Sequence, residues 1–320
     1  MARAAISKMP WDKYILRSVQ EAPPVHLPLF LYGTAWKKDR TAGLVYQALN
    51  AGFRAVDTAG QPKHYQEELV GEGIRRAIHD GILRREDLYI QTKFTSVHGQ
   101  DPNKMPYDPR TSVTDQVHAS VKSSLHNLCA PDASSSVEDA YIDTFLLHSP
   151  LSTMAETMEA WLTLESYVPH RIRNLGISNC TLPILKELYA RATVKPAVVQ
   201  NRFYPDTRFD VPLRTFCGAH DIIYQSFWTL TANPGLLRSD AVQSLASQVE
   251  ISPAAALYCL VLGLGNTTVL NGTTNRARMD ADLAAVRKVE QFSKDSPDAW
   301  QMVLDHFKRV IGDDVDTVKK

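Results

Sequence analysis

The chain has 320 residues, and its 35 Lys+Arg balance its 35 Asp+Glu, so the formal net charge is zero. That balance excludes a global basic field for nucleic acid or an anionic membrane. Hydrophobic residues at 44% and charged residues at 22% exclude a disordered or coiled-coil chain, and allow a large core without covalent staples.

Residues 1–26 read as an N-terminal lead. MARAAISKMPWDKY carries two early positive charges but lacks the apolar segment of a secretory signal. Eight β-rich runs follow: Leu29–Tyr32, Phe53–Asp57, Asp87–Thr92, Tyr141–Leu147, Ile172–Ile177, Ala197–Gln200, Ile222–Gln225 and Thr267–Leu270. Helical periodicity fills the intervals at Ala42–Asn50, Glu67–His79, Val113–Asn127, Ala155–Tyr167, Pro183–Ala192 and Val211–Ala219. A longer helical pattern, Ser239–Val249, continues into Pro253–Leu262, where Ser252-Pro253 supplies an N-cap and a first-turn proline. Two more helices, Arg276–Phe292 and Asp298–Val310, follow the last strand, and residues 293–320 form a helical tail.

Runs such as YIDTFLL lack apolar-polar alternation, which suits a parallel sheet covered on both faces. Eight βα units without a polar linker between halves predict an α/β fold of one domain, a closed (β/α)8 TIM barrel. A doubly wound open sheet is the alternative, but the first turn lacks the Gly-rich signature of such folds. Ser96–Arg110 and Ala130–Asp139 break the rhythm and read as loops, the first on the face where barrels do chemistry. The longest apolar stretch, Ala254–Leu264, is too short to span a bilayer. The four cysteines are scattered, which disfavours a metal site or disulfide framework and suits reduced thiols in a cytoplasmic protein.

Barrel active sites form at the C-terminal ends of the strands. Here the second to sixth predicted strands finish on Asp57, Lys93, His148, Ser178-Asn179 and Gln200. One polar residue after a strand is usually a cap or turn; five converging on one rim define a site. No nucleophile elbow, zinc motif, P-loop or Rossmann glycine pattern is present. A lysine paired with an aspartate suits either a Schiff base or the tuning of a neighbouring phenol, and Tyr65 lies shortly beyond Asp57.

These residues carry a family resemblance. AGFRAVDTAGQPKHYQEELVGEGIRRAI resembles the aldo-keto reductase signature, in which a strand ending Asp-Thr-Ala leads to a catalytic tyrosine. IQTKF, YIDTFLLHSP, RNLGISN and VVQNRFYP resemble, in the same order, the family's lysine, histidine, Ser-Asn and glutamine strand ends.

The resemblance implies carbonyl reduction by hydride transfer from NADPH, with Tyr65 as proton donor and Asp57, Lys93 and His148 completing the catalytic set. An unperturbed phenol titrates at about 10. Lys93, aimed by Asp57, would lower that value, while His148 would orient the carbonyl oxygen. The implied cofactor contacts are Thr34, Asp57, Ser178, Asn179, Gln200, Ser226, Thr273, Arg278 and Asp282. Trp36, His148 and Trp228 would meet a small-molecule carbonyl substrate, and the protein would act as a monomer.

Three departures stand out. The segment from Asp57 to Tyr65 is longer than the family's common spacing, and Pro62 occupies the position that strict spacing would give the tyrosine. Gln225 stands where an aromatic ring usually stacks on the nicotinamide, leaving Tyr224, Phe227 or Trp228 to replace it. In VLNGTTNRARMDADL the family's usual lysine is Gly272, while Arg278 keeps a cation suited to a 2′-phosphate, so NADPH is favoured over NADH. Two other readings share the barrel: a catalytically slow NADPH-binding regulator, and an aldolase using Lys93 as a Schiff base.

Overall fold

The computed structural model describes residues 11–16, 24–129 and 140–313. The expected loop Ala130–Asp139 therefore lies wholly outside the described residues, as do parts of the lead and tail.

The first two strands, β1 (Lys13–Leu16) and β2 (Val25–Pro28), form an antiparallel hairpin that begins in the lead and ends two residues beyond it. Alternation buries Tyr14 and Leu16 on one strand and Val25 and Leu27 on the other. The Tyr14 hydroxyl accepts from the Thr267 backbone N–H at 3.3 Å, where the last barrel strand begins. The hairpin thus closes the end of the barrel opposite the polar strand ends.

All eight expected barrel strands form: β3 (Phe30–Gly33), β4 (Ala55–Asp57), β5 (Tyr89–Phe94), β6 (Ile142–Leu147), β7 (Ile172–Ser178), β8 (Val198–Arg202), β9 (Ile223–Phe227) and β10 (Thr267–Asn271). They close in parallel in the order β10-β3-β4-β5-β6-β7-β8-β9, with each crossover returning to the next strand. Every residue of β5 and β6 is buried, as non-alternating strands inside a helical jacket require.

Helices α1 (Thr41–Ala51), α2 (Glu67–His79), α3 (Val113–Cys129), α4 (Met154–Glu165), α5 (Leu182–Arg191) and α6 (Val211–Ala219) connect the first seven barrel strands. Local chemistry sets their ends. Gly52 at φ 115° terminates α1 in a left-handed turn that side chains rarely adopt. Thr153 and Glu156 form a reciprocal capping box at the start of α4, at 2.9 and 3.1 Å.

The connection before β10 differs from the continuous helical pattern. After a short helix, α7 (Pro234–Leu237), helices α8 (Asp240–Val249) and α9 (Pro253–Gly263) are separate and bent by 106°. Glu250 turns left-handed at φ 52°, and Ser252 caps the new helix by accepting from the Ala255 N–H at 3.1 Å. Helix α9 is apolar all round because it is buried all round, from Ala255 to Leu262. No single helix among the described residues is long and apolar enough to cross a membrane. Helices α10 (Arg276–Asp295) and α11 (Pro297–Val310) complete the jacket.

Trp161 on α4 is fully buried, and its indole N–H donates to the Val194 carbonyl at 3.1 Å. Trp161→Ala is expected to lower the unfolding free energy by about 3–5 kcal/mol in a urea titration, through a cavity and an orphaned carbonyl. A loss below about 1 kcal/mol would show that the site collapses around the missing ring.

Candidate active site

The floor of the barrel mouth is organised by Asp57, the last residue of β4. Its Oδ1 accepts from Lys93 Nζ at 2.8 Å, Gln91 Nε2 at 2.7 Å and Gln200 Nε2 at 2.9 Å. Its Oδ2 accepts from Lys93 Nζ at 2.8 Å, and the same ammonium donates to the Thr58 carbonyl at 2.8 Å. Carboxylate and ammonium are both almost completely buried. Burial pulls the Lys93 ammonium below its ordinary value, against the opposing pull of Asp57.

Below this pair lies a polar layer with no counterpart in the sequence-level reading. Gln91 and Gln225 exchange amide hydrogen bonds at 2.7 and 3.0 Å, and Gln200 Nε2 also donates to Gln225 at 2.9 Å. Gln225 is consequently fully buried inside the barrel. Tyr224 points the other way and donates its hydroxyl to Asp210 at 3.1 Å, so it is no substitute for the missing aromatic face. Phe227 and Trp228 do line the mouth.

Tyr65 arrives from the longer loop between β4 and α2. The insertion is a turn: the N–H groups of His64 and Tyr65 both donate to the Gln61 carbonyl at 3.0 Å. Gln61 Nε2 is tied to the Gly99 carbonyl at 2.5 Å, and Gly60 N–H to the Lys93 carbonyl at 3.0 Å. This turn absorbs Pro62 and brings the Tyr65 ring to 5.4 Å from Lys93 Nζ, measured to the ring centroid, and to 5.8 Å from the His148 ring.

The phenol is not lowered as expected. Burial, followed by the Asp57 charge, pushes Tyr65 above its ordinary value of 10.0. Two contacts to Asp57 and one to Thr58 occupy the donors of the Lys93 ammonium, and its charge is already compensated. The same engagement leaves Lys93, wholly buried off the cleft wall, unavailable as a Schiff-base amine.

His148 follows β6, anchored by donation from its backbone N–H to the Phe94 carbonyl at 2.8 Å. Its Nδ1 is 2.7 Å from Thr95 Oγ1, which leaves Nε2 for the cleft. Burial, then the Lys93 and His64 charges, depress the imidazole to about 3, so it is neutral at physiological pH.

Ser178 donates to the Gln200 carbonyl at 2.6 Å. Asn179, left-handed at φ 53°, donates from Nδ2 to the His148 carbonyl at 2.9 Å, while its buried Oδ1 has no partner. Asp57, Tyr65, His148, Ser178, Asn179 and Gln200 all line one cleft of about 1130 Å³. Thr273, Arg278 and Asp282 line its far end, where Asn271 Nδ2 donates to Asp282 at 2.7 Å. Trp36 and Trp228, 65% and 53% exposed, stand at the mouth, Trp36 with its ring 3.9 Å from that of His64.

Two expected cofactor residues do not reach the cleft wall through their side chains. Thr34 is buried and donates to the Asp57 carbonyl at 2.9 Å. Ser226 is buried against Thr229, with their hydroxyls 2.5 Å apart. Both brace loops at the mouth. Sequence reasoning missed His64 and Arg202, although Arg202 follows Gln200 by one strand period and therefore shares its face.

The family model described as "Aldo/keto reductase family" matches residues 31–305, nearly the whole barrel. This chain belongs to the aldo/keto reductase family. It is 28% identical over 249 residues to an uncharacterized oxidoreductase of Schizosaccharomyces pombe, covering 77% of this chain and 78% of that protein. It is 25% identical to an NAD(P)H-dependent D-xylose reductase of Candida tenuis, covering 69% and 74% respectively. Among solved structures, an aldo-keto reductase of Bombyx mori in complex with NADP superposes with a TM-score of 0.66 at 22% identity. That match covers 87% of this chain and 93% of the silkworm chain and shows a shared fold.

The neutral imidazole has a linked stability. His148 in the unfolded chain takes up a proton below its ordinary 6.5, while the native ring resists until about 3. Its contribution is thus fully present above pH 6.5 and lost as pH falls toward 3. His148→Asn should flatten the acid limb of the stability curve by up to about 1.4 kcal/mol per pH unit. An unchanged slope would mean the ring is not sequestered.

Proposed function

We propose that this chain is an NADPH-dependent reductase that converts a small or medium aldehyde or ketone to an alcohol. The observation that carries this reading is the convergence of Tyr65, His148 and the Asp57–Lys93 pair at the floor of one cleft, beside an acceptor with no partner. That acceptor, Asn179 Oδ1, suits the amide donor of a nicotinamide carboxamide. Ser178 and Gln200 flank it on neighbouring strands.

Bound NADPH would supply the hydride. The chain's own residues supply orientation and the proton. His148 Nε2, on a neutral ring held by Thr95, donates a hydrogen bond to the substrate carbonyl oxygen and fixes it toward Tyr65. The Tyr65 hydroxyl gives its proton to that oxygen as it gains negative charge, and water then reprotonates the tyrosinate. A phenol pushed upward by burial stays protonated over the physiological range, which favours the reductive direction. Asp57 holds Lys93 in place. Phe227 and Trp228 supply the aromatic surface near the reacting face.

At the other end of the cleft, Arg278 and Thr273 would meet the adenosine phosphate. Among the described residues Arg278 makes no ion pair, and its planar fork suits a phosphate dianion. Asp282 and the missing lysine at Gly272 make this clamp thinner than the family's usual one. The same proposal has the barrel, hairpin and C-terminal helices acting as one domain, monomeric and cytoplasmic. The unpaired Cys129, Cys180, Cys217 and Cys259 suit such a reducing compartment.

Tyr65→Phe should lower kcat at least about a thousandfold while leaving NADPH binding within about threefold, as read by fluorescence titration. Turnover at the wild-type rate would place the proton donor elsewhere. Arg278→Ala should erase most of the kcat/KM preference for NADPH over NADH, a change of about tenfold or more. Absence of any preference in the wild type would sink the assignment of the phosphate to this end.

A further inference from the structure

Arg202, the last residue of β8, belongs to neither the catalytic set nor the expected cofactor contacts. It lies two residues beyond Gln200, so both side chains share the inner side of the strand, with Arg202 nearer the mouth. Its register partner is Phe227 on β9. The guanidinium carbon lies 5.5 Å from the Phe227 ring centroid and 4.7 Å from that of Trp228. The side chain lines both the main cleft and a neighbouring cavity of about 420 Å³, which Asn179 also lines.

Its backbone is engaged, the carbonyl accepting from the Tyr224 hydroxyl at 3.4 Å, but among the described residues its side chain has no polar partner. Among the described residues Arg202 makes no ion pair, and its Nε is sealed from solvent without an acceptor. The acidic groups of the two cavities are committed elsewhere. Asp57 is held by Lys93, Gln91 and Gln200. Asp210 accepts from Asn201 Nδ2 at 2.9 Å and from the Tyr224 hydroxyl at 3.1 Å. Asp282 accepts from Asn271. The aromatic faces of Phe227 and Trp228 orient the guanidinium plane but satisfy none of its N–H donors in-plane. A cation partly stripped of water, with its fork pre-set and unmatched, is complementary to a planar or tetrahedral oxyanion.

We infer that Arg202 recognises an oxyanion, a carboxylate or phosphate, bound in this cleft above Gln200. Two sources share that chemistry: an acidic group on the carbonyl substrate, or the diphosphate of the cofactor. The substrate source makes Arg202 the residue that selects acidic over neutral aldehydes, and this assignment rests on the reductase reading. The cofactor source makes it a phosphate ligand that offsets the lysine missing at Gly272.

The test compares the wild type with Arg202→Gln and Arg202→Lys. Binding is read by calorimetry with NADPH, inorganic phosphate and a panel of carboxylates beside their neutral amides. Turnover is read as the kcat/KM ratio of 4-carboxybenzaldehyde to benzaldehyde and of succinic semialdehyde to butanal. If the oxyanion is the substrate's, Arg202→Gln lowers these ratios and carboxylate affinity by about tenfold or more, and Arg202→Lys restores part of the loss because it keeps charge without the fork. If it is the cofactor's, the NADPH Kd rises by a similar factor and the ratios hold. Unchanged anion affinity, NADPH Kd and ratios in both variants overturn the inference. A wild type that oxidises no NADPH with any aldehyde would defeat the reductase reading alone, since the calorimetric comparison still decides Arg202.

Discussion

The buried pair of Asp57 and Lys93 is the constraint on which the rest of the site depends. Two opposite charges lie sealed beneath the mouth, where removing one partner would leave an uncompensated charge at a cost of several kcal/mol. Everything around them meets that demand. Gln91 and Gln200 donate to the carboxylate, Thr58 accepts from the ammonium, and Gln225 satisfies the two glutamines in turn. The pair joins β4 to β5, and the glutamines carry the link across to β8 and β9. One polar layer therefore fixes the relative positions of four strands whose ends carry the chemistry.

This layer also explains a departure from the family's usual pattern. An aromatic ring at position 225 would have no amide to complete the network, so the glutamine and the lost stacking surface are two sides of one choice. The aromatic surface moves outward to Phe227 and Trp228, where it meets Arg202. Trp228 reaches this place through a left-handed backbone at φ 58°, and Trp36 through one at 64°. Both are conformations a bulky residue adopts only when its surroundings hold it there. The mouth is thus framed by two exposed indoles on constrained turns, while the floor is rigid and charged.

Environment, rather than residue type, sets the titration states. Tyr65 and His148 are both displaced mainly by burial, in opposite directions because the phenol is charged when deprotonated and the imidazole when protonated. Both stay neutral at physiological pH. Lys93 does not reverse this for the phenol, because a neighbouring cation acts weakly at a distance once Asp57 compensates it.

The sequence by itself determined the barrel. Eight strand-like runs, the caps at Ser252 and the α2 and α6 bounds are local properties of spacing and side-chain type, so they were readable without contacts. It also placed Asp57, Lys93, His148, Ser178, Asn179 and Gln200 at one rim, since strand ends in a parallel barrel must share a face. Only the tertiary structure decided which of these groups touch. The turn that carries Tyr65 past Pro62 depends on Gln61, Gly60 and their partners on other loops. The inward glutamines, the 106° break before α9 and the closing hairpin likewise rest on contacts between distant segments. Burial is a property of the assembled fold, and with it came the direction of the Tyr65 shift, the withdrawal of Thr34 and Ser226 from the cleft wall, and the unmatched charge of Arg202.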